Sequence, residues 1–63
     1  MIMEEKIETL LRVHYQRLER LWRYRFDADD FDKNMMLFES ELTICNQLSR
    51  ILYNENIYPF WEK

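Results

Sequence analysis

The sequence contains no glycine, a single proline, Pro59, a single cysteine, Cys45, and a single histidine, His14. Without glycine there is no Gly-rich loop to bring backbone N–H groups against a phosphate, and most tight-turn chemistry is closed. One cysteine cannot form an intrachain disulfide, and one histidine beside it falls short of a zinc ligand set. Charges interrupt every apolar stretch, so no membrane-spanning segment is expected. Met1 is followed by Glu4 and Glu5 rather than by a basic stretch and an apolar core. No secretory signal is therefore expected, and the cytoplasm is the expected location.

What the chain does have is apolar surface. Its 63 residues are 48% hydrophobic and 16% aromatic, too rich for a disordered segment. The length suits one domain, 1–63, but a chain this short buries only about 60% of the surface its unfolded form exposes. Folds of this size lean on a disulfide network, a metal or a partner. With the first two excluded, a partner is expected, either a second copy or a different protein. The net charge of −3 is uneven: residues 1–26 carry six Lys/Arg against four Glu (+2), and residues 27–63 carry three against eight Asp/Glu (−5). Overall acidity argues against a general nucleic-acid binder.

Helical periodicity predicts a first helix over about 2–25. Met3, Ile7, Leu10, Leu11, His14, Leu18, Leu21 and Trp22 recur at three- and four-residue steps. Glu8–Arg12 and Glu19–Arg23 are i,i+4 pairs in the favourable order. The run Phe26-Asp27-Ala28-Asp29-Asp30-Phe31 reads as a helix start with Asp27 as N-cap, Asp30 in the acid position of a capping box, and Phe26 and Phe31 as a hydrophobic staple. A connection of two or three residues makes the helices antiparallel neighbours. The second helix is predicted over about 28–54, with Asn54 and Asn56 as candidate C-cap residues; a left-handed Asn56 would place Leu52 and Ile57 for the contact of a Schellman motif. It carries two apolar seams. One is Phe31, Met35, Phe38, Leu42, Cys45 and Leu52, with Ser49 as a polar gap; the other is Leu37, Ile44, Leu48 and Ile51. One neighbouring helix covers only the first, so the second is expected to stay exposed and to receive a partner. The aromatic tail, with Phe60 and Trp61, is expected to shield that seam or to lie on the partner. The expected partner-binding set is therefore Leu37, Ile44, Leu48, Ile51, Phe60 and Trp61. The fold class is all-α: an antiparallel two-helix hairpin with a short aromatic C-terminal tail, completed by a partner or by dimerisation.

No catalytic, cofactor-binding or metal-binding residues are expected. Asp30, Asp32, Asn34 and Glu41 fall at EF-hand positions 1, 3, 5 and 12, but Met35 stands where that loop requires glycine. His14 has no nucleophile or acid beside it on its own helix face, and Cys45 reads as a packing residue. Arg12, Arg17, Arg20, Arg23 and Arg25, with Tyr15, Trp22 and Tyr24, form the kind of basic, aromatic stretch that RNA-binding helices use. A protein contact or a solvated face is the preferred reading of them.

Residues 27–56 resemble a known family. The run from Asp27 to Asn34, followed by Leu37, Glu39, Asn46, Ile51 and Tyr53, is similar to the second helix of the small type III secretion co-chaperones of the YscE and SsaE type. The resemblance implies a cytoplasmic hairpin that binds a larger, tetratricopeptide-like helical chaperone, the pair holding a secreted needle subunit monomeric until export. The tail from Tyr58 to Trp61 has no counterpart in it. Two alternatives share the architecture: a homodimeric four-helix-bundle RNA-binding regulator, whose turn also contains Asp-Ala-Asp, and a small phage or regulatory anti-factor.

Overall fold

The computed structural model describes residues 2–62; Met1 and Lys63 of the 1–63 domain lie outside the described residues. Two helices, α1 (Ile2–Arg23) and α2 (Phe31–Tyr53), pack side by side as an all-α hairpin. Their direction is set by contacts of falling register. The Asn34 amide donates to the Leu21 carbonyl at 3.0 Å, His14 meets Glu41, and the Tyr53 hydroxyl donates to Glu8 at 3.2 Å. As the number rises on one helix it falls on the other, which is antiparallel packing. The body measures 41 × 21 × 14 Å. Its thinnest dimension is close to one helix diameter, about 10–12 Å with side chains, so the protein is a single layer of helices.

The core is correspondingly small. Leu18 of α1 and Phe38 and Cys45 of α2 are buried, together with Ser49. Phe38, Cys45 and Ser49 all belong to the first seam, so that seam faces α1 as its heptad spacing implies. Its first member, Phe31, is 44% exposed because it is the opening residue of α2, beyond the end of α1.

The connection departs from expectation. The N-cap of α2 is Asp30, not Asp27: its carboxylate accepts the Lys33 N–H at 3.0 Å. The Asp27 N–H donates instead to the Tyr24 carbonyl at 3.0 Å, which prolongs the end of α1 as a tight turn. The connection therefore runs over residues 24–30. Phe26 and Phe31 do stack, 5.7 Å apart with ring planes 9° from parallel, but they clamp the two ends of a loop rather than stapling one helix start. Arg25 lies over the Trp22 ring at 3.7 Å and donates to the Trp22 carbonyl, closing the last turn of α1.

At the far end the C-cap is Asn54, the first of the two candidates; it is the left-handed residue (φ 60°, ψ 29°), and its N–H donates to the Arg50 carbonyl. Asn56 is used otherwise, its side-chain oxygen accepting from Arg50 Nε at 2.6 Å. The chain then doubles back. The Ser49 hydroxyl donates to the Glu55 carbonyl at 2.6 Å, and the Ile57 N–H donates to Asn46 Oδ1 at 3.1 Å. These two bonds lay the tail along the side of α2 that carries Asn46 and Ser49. Trp61 meets Phe38 edge-on at 5.5 Å, Phe60 meets Tyr15 at 5.7 Å, and Trp22 meets Phe38 at 5.5 Å. The aromatic tail thus closes one flank of the hairpin.

Candidate protein-docking face

Each turn of helix moves about 100° per residue, which assigns the remaining side chains to flanks. Asn46 and Ser49 share one flank of α2 with the tail. Leu37, Ile44, Leu48 and Ile51 lie on the other, across the line of contact with α1. Leu10, Val13 and Arg17 occupy the matching flank of α1, and Tyr24 follows them just past its end. The two helices therefore present one joint face that the tail does not reach.

Leu37 and Ile51 stand 49% and 66% exposed, and Leu10, Val13 and Tyr24 are exposed beside them. Ile44 and Leu48 are half-buried, which corrects the expectation that all four members of the seam stay open. Side chains three and four apart on one helix face cover one another, so the middle of a stripe is shielded from both sides and its ends are not. Near the loop end, Leu21, Leu37 and Tyr24 line a shallow concavity of about 460 Å3, with Arg17 and Arg20 at its rim.

The six residues expected to bind a partner are not brought together. Leu37, Ile44, Leu48 and Ile51 form the open flank; Phe60 and Trp61 are half-buried on the opposite flank, against the chain's own Phe38 and Tyr15. Leu10, Val13 and Tyr24 complete the face from α1. Their helical spacing was visible in the sequence, but which side of α1 the tail would leave open was not.

One polar cluster sits between the helices. His14 Nδ1 is 2.6 Å from Glu41 Oε2, and Arg17 Nη1 is 3.9 Å from Glu41 Oε1. Glu41 is thus the partner that His14 lacks on its own helix, and it gathers two basic groups of α1. The i,i+4 pairs Glu8–Arg12 and Glu19–Arg23 do not form ion pairs among the described residues. Glu8 accepts from Tyr53 instead, and exposed pairs in water contribute too little to hold long side chains in one geometry.

This cluster has no nucleophile to activate. Cys45 is fully buried, and burial followed by the Glu41 charge pushes its thiol up to about 11, so it stays protonated near neutral pH. Burial, with Glu19 and Cys45 nearby, also raises Tyr15, and the Glu8 carboxylate raises Tyr53. Both phenols keep their protons. Among the described residues no three His, Cys, Asp or Glu side chains converge as a metal site, and the Asp30 carboxylate is engaged in the helix cap. No described helix is long and apolar enough to cross a membrane. No family model matches the chain, and neither a curated protein nor a solved structure does.

Proposed function

We propose that the hairpin is a non-catalytic adaptor that docks a partner protein along the open flank of α1 and α2. The observation that carries this reading is the apolar stripe from Leu37 to Ile51, exposed at both ends and half-buried between, with Leu10 and Val13 exposed alongside, in a molecule one helix layer thick. Layers of helix bury their apolar faces against a second layer, and the described residues supply only one. Each large aliphatic side chain covered by a partner contributes roughly 1.5–3 kcal/mol before association costs. In its finer form the reading is a cytoplasmic type III secretion co-chaperone. Its partner is a larger tetratricopeptide-like chaperone, and the pair masks the aggregation-prone surface of a needle subunit. That task needs apolar surface and no reacting group.

Affinity capture from the native cytoplasm, comparing the unaltered chain with Leu37→Asp and Ile51→Asp, tests it. Both positions are exposed, so both variants keep the helical circular dichroism of the parent and lose the captured partner. A helical repeat protein accompanied by a small secreted subunit supports the co-chaperone form. Retention of the same partner by both variants overturns the docking face. A self-dimer that carries RNA supports the regulator instead.

A further inference from the structure

Charge is sorted around this hairpin. On α1, Lys6, Arg17 and Arg20 lie on the open flank and Glu8 and Glu19 turn to the other side at about 100° per residue, while at the open end of the hairpin Glu4, Glu5 and Glu8 share a hollow with Ile51. On α2, Lys33 borders the open stripe, and Asp32 and Glu39 point away from it. Glu41, beside the middle of the stripe, is held by His14 and Arg17. A chain of net charge −3 therefore carries a face that is apolar along its centre and basic along its loop-end edge, where Arg17, Arg20 and Lys33 lie.

Resting on the docking reading above, we infer that the occupant of this flank is an acidic amphipathic helix, with one apolar stripe bordered by Asp and Glu, and not a second copy of this chain meeting it flank to flank. An isologous contact sets the patch against itself, and where the two-fold axis runs along the helices Arg17, Arg20 and Lys33 would meet the same basic edge of the other copy. Like charges so placed oppose association, whereas carboxylates on an incoming helix are drawn to them. Arg17 has the reach for such a contact: its side chain is 61% exposed and its link to Glu41 is long, at 3.9 Å. Arg20 forms no ion pair among the described residues. The concavity that Leu21 and Leu37 help to line has room for the apolar anchors of a helix laid in a groove. Leu37 and Ile51 are 14 positions apart, so the stripe runs about 21 Å, or four helical turns. A partner helix of that length covers it.

The test uses two synthetic helical peptides of about 20 residues with the same leucine stripe, one bordered by Glu and the other by Lys. Each is titrated against the full chain by fluorescence anisotropy at ~0.05 M and ~0.5 M salt. The Glu peptide binds about 10-fold or more tightly than the Lys peptide at low salt, and the preference narrows at high salt. Arg20→Gln, an exposed change that leaves helicity intact, weakens the Glu peptide alone; Leu37→Asp abolishes binding of both. Equal binding of the two peptides, lost in Leu37→Asp, overturns the acidic occupant and leaves the docking face standing. Binding of neither peptide also overturns it. Sedimentation of the chain as a dimer that Leu37→Asp dissociates would then assign the face to a second copy.

Discussion

Cys45 shows how far a residue's chemistry is decided by what surrounds it. In the sequence it is a thiol at a heptad position; in the fold it is fully buried beside Glu41, which raises it from its ordinary value of 9.0 to about 11. A thiol raised by burial and a neighbouring carboxylate leaves the fold undisturbed while it stays protonated and opposes it once ionisation is favoured. The penalty is absent below about pH 9, where the unfolded chain also holds its proton, and grows as pH climbs toward about 11. Its size is on the order of 2–3 kcal/mol. Urea unfolding of the native chain should therefore lose stability between about pH 9 and pH 11, and Cys45→Val should flatten the part of that slope that belongs to the thiol. A thiol reagent should label Cys45 only as fast as the hairpin opens. Rapid labelling without urea would show that the residue is not enclosed. His14 carries the complementary lesson. Its apolar surroundings were legible, but Glu41, its partner, is 27 positions away and was not.

For an element, the boundaries are decided by competition among near-equivalent residues. Asp27, Asp29 and Asp30 all offer a capping carboxylate within four positions, and local preference does not choose between them. The choice falls to Asp30 because the chain must first clear the end of α1. The loop from Tyr24 to Asp30 is held by the Phe26–Phe31 stack, and the Asn34 amide reaches back to the Leu21 carbonyl. Asp30→Ala should lower stability by about 1 kcal/mol and Asp27→Ala by much less, read as urea midpoints. The same contest at the other end gave the left-handed position to Asn54. There Asn54→Gly should be tolerated, and Asn54→Ala should cost about 1 kcal/mol, because alanine lacks the short polar side chain that lets asparagine adopt that conformation.

At the scale of the whole molecule, the tail supplies what two short helices lack. Leu18, Phe38 and Cys45 are a thin core, and Phe60 and Trp61 enlarge it by closing one side with edge-on aromatic contacts. Such pairs contribute about 0.5–1.5 kcal/mol beyond their area. Trp61→Ala should therefore destabilise the free hairpin by about 2 kcal/mol, less than a fully buried tryptophan because this one is half-buried. It should also erase the near-ultraviolet circular dichroism of the packed rings, while partner binding on the opposite flank persists in whatever fraction stays folded. An unchanged urea midpoint would mean that the tail merely rests on the surface. The same asymmetry organises recognition, because the tail covers one flank and leaves the other bare.

Periodicity by itself determined that the chain is two amphipathic helices, that Phe38 and Cys45 lie on the seam facing α1, and that α2 has more apolar surface than one neighbour covers. These are properties of one helix considered alone, and a 3.6-residue repeat encodes them directly. Tertiary structure alone decided which aspartate caps α2, which asparagine turns left-handed, that Glu41 serves His14, and which flank the tail occupies. Each of those depends on the distance between segments far apart in sequence. The tail's side, above all, follows from two bonds, Ser49 to Glu55 and Ile57 to Asn46, whose donors and acceptors come within reach only after Asn54 has reversed the chain.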